Sequence, residues 1–553
     1  MFTDARDIAS HATLQADICI IGAGVAGISI AKEFVGRGES VVMLEGGGLD
    51  FTKSLRKLPT VLRRHTLGEQ ALTSGSSTGH PYYPLRFTRV RAFGGSSRAW
   101  HENRGVHVRP LDAIDFWARD GLPEHGWPID RSDLGPFYER AQQMFGLGEF
   151  AYDAKTWEAR GYGSPLPLDP DRVESVMFKF GKHAKFDRYA IDLAQAENIN
   201  VVLHATAIHL ADSNRRVDRV DCATLSGSRF SVRARTFILA VGAIETARLL
   251  LVSRDSEPAG IGNGADLVGR CFMEHPDAAV GYLLPDPGLD PDAFRLYRHQ
   301  PAEENVTVEA MFRLSDRALQ RERLLNAVLR LRPTHRSVMA AAVQSAHIVR
   351  RSVHYGVATP GLARHAIRAV AGAPQLLRHY SAWHSGRPPK IFGIDVMAEQ
   401  APTMSSRVKL SSRRDRLGVP KTVLDWQLTK LDWHSIQRTM GIFADAVREA
   451  GVGKVISTVG AGGHPPVVFG NWHQLGTTRM HPDPARGVVD ENCRVHEMHN
   501  LYIAGGSIFP TGGYANPSLT IVALSLRLAD HVKSTTTQES SWRGPPAGLR
   551  NTA

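Results

Sequence analysis

The chain's 553 residues, 42% hydrophobic and 22% charged, are enough for one large composite domain or several ordinary ones, and they exclude a disordered or fibrous polypeptide. The net charge of +11 is regional: no acidic residue occurs between Glu322 and Asp395, whereas eleven Arg and Lys do, which argues against a nucleic-acid-binding protein. No apolar run reaches the roughly 18 residues of a membrane-spanning helix.

Met1 to Gln15 carries Asp4 and Asp7 and no apolar core, so it does not read as a secretory leader, and a cytoplasmic location is the default expectation. Ala16 to Ile21 reads as an apolar, β-branched strand, Val25 to Gly36 as a helix and Val41 to Leu44 as a second strand, which together form a βαβ unit. Residues 50–90, with Ser, Thr, Gly and Pro punctuation, predict a surface loop. A second Gly-rich turn follows at Gly94 to Asn103, and a helix at 130–146. Asn200 to Leu210, Val217 to Ser231 and Val232 to Ala240 read as consecutive strands, followed by a helix from Ile244 to Val252. Residues 305–332 and 391–426 predict the long strands and hairpins of another sheet, with a helical insert at 336–380 between them. Leu431 to Glu449 is a predicted helix with an apolar stripe at Ile436, Met440, Phe443 and Val447. The tail from Ser534 has the composition of a disordered segment. Elements of the nucleotide fold lie at both ends of the chain, so the domain they build is discontinuous. The four cysteines, Cys19, Cys222, Cys271 and Cys493, lack C-x-x-C spacing and read as reduced thiols, and no metal site is expected.

Gly22-Ala23-Gly24-Val25-Ala26-Gly27 sits directly after a strand and opens a helix. In such a turn Gly22 permits the tight bend, Gly24 lets backbone approach a pyrophosphate and Gly27 allows close helix–strand contact. The helix start offers free N–H groups to phosphate. Glu45 ends the second strand, where a carboxylate accepts from ribose hydroxyls and repels a 2′-phosphate. These residues predict nucleotide binding without choosing between FAD and NAD.

Further segments narrow the choice. They are "RAFGGSSRAWHEN" (91–103), "RPLDAIDF" (109–116), "GWPI" (126–129), "TFILAVGAIETARLLL" (236–251), "DLVGRCFMEHP" (266–276), "NWHQLGTTRMHP" (471–482) and "HNLYIAGGSIFPTGGYANPSLTIVALSLRLAD" (499–530). In order and spacing the set resembles the glucose–methanol–choline (GMC) oxidoreductases, closest to the bacterial sugar and glycoside branch that includes pyranose-oxidase-like enzymes and glycoside 3-oxidases. The resemblance implies an α+β and α/β architecture: a Rossmann-like FAD-binding domain (1–105, 199–290 and 478–535) and a substrate domain on a mainly antiparallel sheet flanked by helices (106–198 and 291–477); composition alone makes 536–553 a disordered tail. It implies FAD, and oxidation of a secondary or primary alcohol by oxygen or another electron acceptor. It sets Gly94, Gly95 and Ser96 along the flavin, Ala207 at the adenine, Ala240 and Gly242 near the nucleotide, and Gly505, Gly506, Ser507 and Pro517 near the phosphates and flavin. His473 matches the family's catalytic histidine and Asn516 its partner. Flavinylated relatives carry a histidine before the Trp of the Gly-Gly motif. Here Ala99 precedes Trp100, so FAD is expected to be held without a covalent bond, with His101 a poor substitute.

Loss of hydride from an alcohol carbon to flavin N5 requires removal of the hydroxyl proton, a task for a neutral imidazole, here His473, with Asn516 orienting the same oxygen. Glu399 and Gln400 are expected to bind the substrate, a sugar or glycoside. His275 reads as structural. The basic insert at 336–390 reads first as a solvated helical face, with an oligomer contact, a lid or a membrane-surface contact as alternatives. Competing functions are a lyase on the same flavin scaffold, a dehydrogenase of a non-sugar alcohol, and a partner subunit of an electron-transfer complex.

Overall fold

The computed structural model describes residues 1–49, 68–100, 105–122, 126–386, 388–459 and 468–539. The second half of Thr13–Ile21, from Ile18 to Ile21, is buried on both faces, as a central parallel strand requires. On one side Thr13–Ile21 pairs in parallel with Val41–Leu44, then Ile199–Leu203 and Phe2–Asp4. On the other it pairs with Arg229–Leu239, which also takes the C-terminal strand Leu501–Ile503 in parallel. Arg216–Ala223 and Thr206–Ser213 extend this sheet as an antiparallel hairpin. Strands from both ends of the chain therefore share one sheet.

The second sheet is antiparallel. Its order is Gly453–Ser457, Asp277–Pro285, Ile391–Ala398, Ala327–Thr334, Val306–Leu314, Val173–Gly181 and Val106–Val108. Helix Lys430–Glu449 packs on it, capped by Thr429 and Asp432 in a reciprocal capping box, with Ile436, Met440, Phe443 and Val447 all buried.

Four expectations need correction. Asp277–Pro285 belongs to the antiparallel sheet, so the middle segment of the first layer ends before 277 and not at 290. Residues 305–332 are not strand throughout: Ser315 caps a helix over Asp316–Glu322 by accepting from the Ala318 N–H. Within the expected surface loop, Gly75–Gly79 is a strand paired in parallel with Pro420–Trp426. A small-residue strand held by backbone bonds has no apolar alternation to reveal it. The last helix, Ser518–Glu539, runs past the expected start of the tail, and residues 540–553 lie outside the described residues.

The parallel strands Thr13–Ile21, Val41–Leu44, Arg229–Leu239 and Leu501–Ile503 all end on one cleft of about 1550 Å³, which Ile21, Leu44, Ala240 and Gly505 line. Ligands of open α/β sheets sit beyond these carboxyl ends.

Candidate active site

At the nucleotide end of the cleft the glycines act through close approach. Gly22 has φ +108°, and a Cβ there would come within 2.5 Å of the Ala240 carbonyl oxygen. A Cβ on Gly27 would lie 2.0 Å from the Gly22 oxygen, whereas one on Gly24 would meet nothing within 4 Å. The first and third glycines thus close the turn, and the second faces the cleft. The second glycine turn packs on the first: Gly94 N–H donates to Ala23 O at 2.8 Å, and a Cβ on Gly95 would reach Gly24 Cα at 2.8 Å. Helix Val25–Glu33 starts here without a side-chain cap, so its first N–H groups are available to an anion. Glu45, buried, accepts from Ala23 N–H at 3.1 Å and Gly47 N–H at 2.8 Å, and burial raises its pKa. The Ser507 hydroxyl is buried with no hydrogen-bond partner among the described residues. A long cleft with an uncapped helix start and a carboxylate at a strand end fits a dinucleotide such as FAD.

At the far end of the cleft, Asn516 Nδ2 lies 3.0 Å from His473 Nε2, and His473 Nδ1 lies 2.8 Å from His275 Nδ1. His275 Nε2 in turn faces the Gly512 carbonyl at 3.3 Å. A carbonyl only accepts, so His275 Nε2 carries a proton. Its Nδ1 in the neutral ring then accepts, and His473 Nδ1 donates to it. His473 Nε2 is left with a lone pair, which receives Asn516 Nδ2–H. Burial supports neutrality at both rings: His275 is brought down to about 4, and His473 is held well below 6.5, first by burial and then by His275 and His107.

The turn that presents His473 is held from behind. Glu274 Oε2 accepts from the backbone N–H groups of Asn471 at 3.1 Å and His473 at 2.8 Å, and Tyr82 donates to Oε1. Burial pushes Glu274 up to about 7. Between the two clamped amides, Trp472 has φ +58°, a left-handed conformation that costs an ordinary residue about 1–2 kcal/mol. The clamp holds this strain and leaves Trp472 42% exposed on the cleft wall, its ring stacked on Tyr83 at 4.7 Å and edge-on to Tyr355 at 5.5 Å.

Most sequence-predicted residues meet here. Gly22, Gly24, Glu45, Gly95, Ser96, Ala207, Ala240, Gly242, Gly505, Gly506, His473, Asn516 and Pro517 line the cleft. Gly27, Gly94 and Ser507 lie behind its wall. Ala99 and Trp100 line it too, and His101 is outside the described residues. Glu399 and Gln400 are not substrate-facing. Both are buried away from the cleft. Glu399 accepts from Arg119 at 2.6 Å and from Asn326 N–H at 2.9 Å. Gln400 Oε1 accepts from Glu274 N–H and Trp426 Nε1, both at 2.9 Å. Gln400 thereby supports the segment that carries Glu274, and Glu399 ties Arg119 to the Asn326 backbone. The sequence reading misses His107, stacked on Phe180 at 5.3 Å in the cleft wall, and the contribution of His275. The one sequence signal for His275 is its adjacency to Glu274 in "MEHP".

Residues 402–525 match the family model described as GMC oxidoreductase. The chain is 26% identical to 6‴-hydroxyparomomycin C oxidase of Streptomyces lividus, over 94% of this chain and 91% of that protein. It is 25% identical to paromamine 6′-oxidase of Streptomyces fradiae, over 93% of this chain and 91% of that one. Its fold matches the crystal structure of formate oxidase with a TM-score of 0.55 at 18% identity, covering 96% of this chain and 100% of the other. The chain thus carries the GMC oxidoreductase C-terminal region at residues 402–525, and over more than 90% of its length it is similar to these two oxidases.

Proposed function

We propose that this protein oxidises a CH–OH carbon of a sugar or glycoside to a keto or aldehyde group, with His473 as the base. The observation that carries the reading is the pairing of His473 Nε2 with Asn516 Nδ2 at 3.0 Å on the cleft wall, beside the exposed ring of Trp472. Bound FAD supplies the hydride acceptor. A substrate hydroxyl entering between the two side chains meets the Nε2 lone pair of a neutral imidazole and an amide that fixes the oxygen. The O–H proton passes to Nε2 as the C–H hydride leaves, so the alcohol loses two electrons and becomes a carbonyl. Asn516 Oδ1, buried and without a partner among the described residues, gives the amide a second contact to offer.

The surroundings of this pair support an uncharged carbohydrate. Trp472 offers a flat apolar face to the C–H face of a pyranose. Among the described cleft residues near it, Tyr83, His107, His354, Tyr355, Asn471 and Gln474 are polar or aromatic, and none is acidic. The relatives that oxidise aminoglycosides carry that activity in their names. These six residues offer hydrogen bonds without a carboxylate, which favours a neutral glycoside at this stretch of wall, whereas the cleft's carboxylates Glu45, Glu69, Glu245 and Asp415 are among its other lining residues. The parallel sheet would carry FAD and the antiparallel sheet the substrate, with the domain boundaries drawn as above. Ala99, in place of histidine, supports FAD held without a covalent bond.

The test is anaerobic mixing of the yellow protein with neutral sugars, glycosides and aminoglycosides, followed by readmission of oxygen. Bleaching by a neutral sugar or glycoside is expected, and the speed of recolouring separates an oxidase from a dehydrogenase. Bleaching by none of the panel would remove the carbohydrate reading.

A further inference from the structure

The insert between the second sheet's strands forms three helices, Ala341–Tyr355, Leu362–Ala371 and Ala373–His384. Its inner side is anchored. Arg351 pairs with Asp277 at 3.2 Å and lies 4.0 Å from the Phe469 ring centre, and His354 and Tyr355 line the active-site cleft.

Its outer side has the opposite character. The third helix buries no residue and the second buries only Ala369. Ile367 is 70% exposed, Val370 78%, Leu377 69%, Tyr380 65% and Trp383 56%. Leu377, Tyr380 and Trp383 recur every third residue, so they share one stripe of the helix. A soluble helix ordinarily turns such residues inward, and a group of them facing outward marks a contact surface. Between the first two helices, Ala346, Val349, Val353, Ala366 and Val370 line an apolar groove of about 440 Å³. Arg350 and His354 also line it, and His354 is shared with the active-site cleft.

Arg350, Arg364, Arg368 and Arg378 are exposed among these apolar residues, and the insert contains no carboxylate to neutralise them. This charge selects the occupant. A second copy docking through the same face would set arginines against arginines. An anionic surface would meet all four, while Trp383 and Tyr380 have the amphipathic rings that settle at a bilayer's headgroup level. The groove is shaped for an apolar chain, with Arg350 available to a phosphate.

We propose that the insert is a docking surface for an anionic phospholipid bilayer. Association is peripheral: among the described residues no helix is long and apolar enough to cross a membrane. The side chains sink into the headgroup boundary while the arginines contact phosphate.

The experiment is co-sedimentation of the full-length, FAD-loaded protein with vesicles of phosphatidylcholine, with or without about one-third phosphatidylglycerol. Binding is expected only to the anionic vesicles, and less of it at high salt. Replacing Arg364, Arg368 and Arg378 together by Gln should weaken it by at least about tenfold, and the pair Leu377→Glu and Trp383→Glu should do the same. Both variants should keep wild-type flavin reduction by a bleaching alcohol, since none of these residues lines the cleft. Equal binding to neutral vesicles, no binding to either, or variants that bind like wild type would overturn the proposal. So would a dimer that Leu377→Glu and Trp383→Glu dissociate, because a second copy would then cover the face.

Discussion

His275 holds its Nδ1 2.8 Å from Nδ1 of His473, two rings 198 residues apart in sequence joined edge to face with centroids 4.9 Å apart. The contact fixes which nitrogen of His473 carries the proton, and therefore which one faces Asn516. An imidazole free to take the other tautomer would present N–H to the cleft and could not accept a proton there.

His275→Ala should therefore lower the rate of flavin reduction by about 10–100-fold, taking as a guide the loss when a partner that orients a metal-ligating histidine is removed. Substrate affinity should change little. A purely structural role would lower the melting temperature and leave the reduction rate of the folded fraction intact.

The pH dependence follows from burial. Charging His473 is disfavoured, so the base form persists as pH falls below 6.5, and the acid limb of flavin reduction should lie well below that value. A limb centred at or above 6.5 would contradict the buried, neutral base.

Stability should respond to two opposed groups. His275, depressed from 6.5 to about 4, contributes stability that is present above 6.5 and is lost as pH falls through that interval. Glu274, raised from 4.5 to about 7, contributes stability that is present below 4.5 and is lost as pH rises to about 7. The two partly cancel. Glu274→Gln keeps an oxygen for the Asn471 and His473 amides but removes the second titration, so thermal unfolding followed from neutral to mildly acid pH should show a steeper loss of stability in the variant.

Trp472→Ala removes the apolar face while leaving His473 in place. An aromatic contact is worth about 0.5–1.5 kcal/mol, so KM for the sugar should rise by up to roughly tenfold with the limiting reduction rate nearly unchanged. A fall in that rate with KM unaltered would make Trp472 a support for the turn and not a substrate contact.

Acid precipitation of the protein should leave a yellow supernatant and a colourless pellet, as expected for FAD without a bond at Ala99. Flavin retained in the pellet would point to another attachment residue, with His107 in the cleft wall the first to replace.

Much of the fold is legible in the sequence because its signals are local. The strand, glycine turn, helix and acidic strand end lie within Thr13 to Glu45, and each glycine's task depends on backbone geometry that few other residues supply. The capped helix Lys430–Glu449 announces itself by its apolar stripe. Glu399 and Gln400 mislead for a related reason: position at a strand end does not say which way the chain turns afterwards, and both side chains turn into the protein toward Arg119, Asn326 and Trp426. The His275–His473 contact leaves no trace in spacing or periodicity, since it depends on how the Met273–Leu475 and Asp277–Phe469 bridges bring two distant segments together. The outward apolar stripe of the insert is likewise hidden, because sequence alone shows an amphipathic helix without showing which face the protein covers.

The central claim, that His473 Nε2 takes the hydroxyl proton, is tested most directly by single-turnover flavin reduction in His473→Ala with a saturating alcohol that bleaches the wild type. A fall of about 10²–10⁴-fold with FAD still bound is predicted. Reduction at the wild-type rate would contradict it.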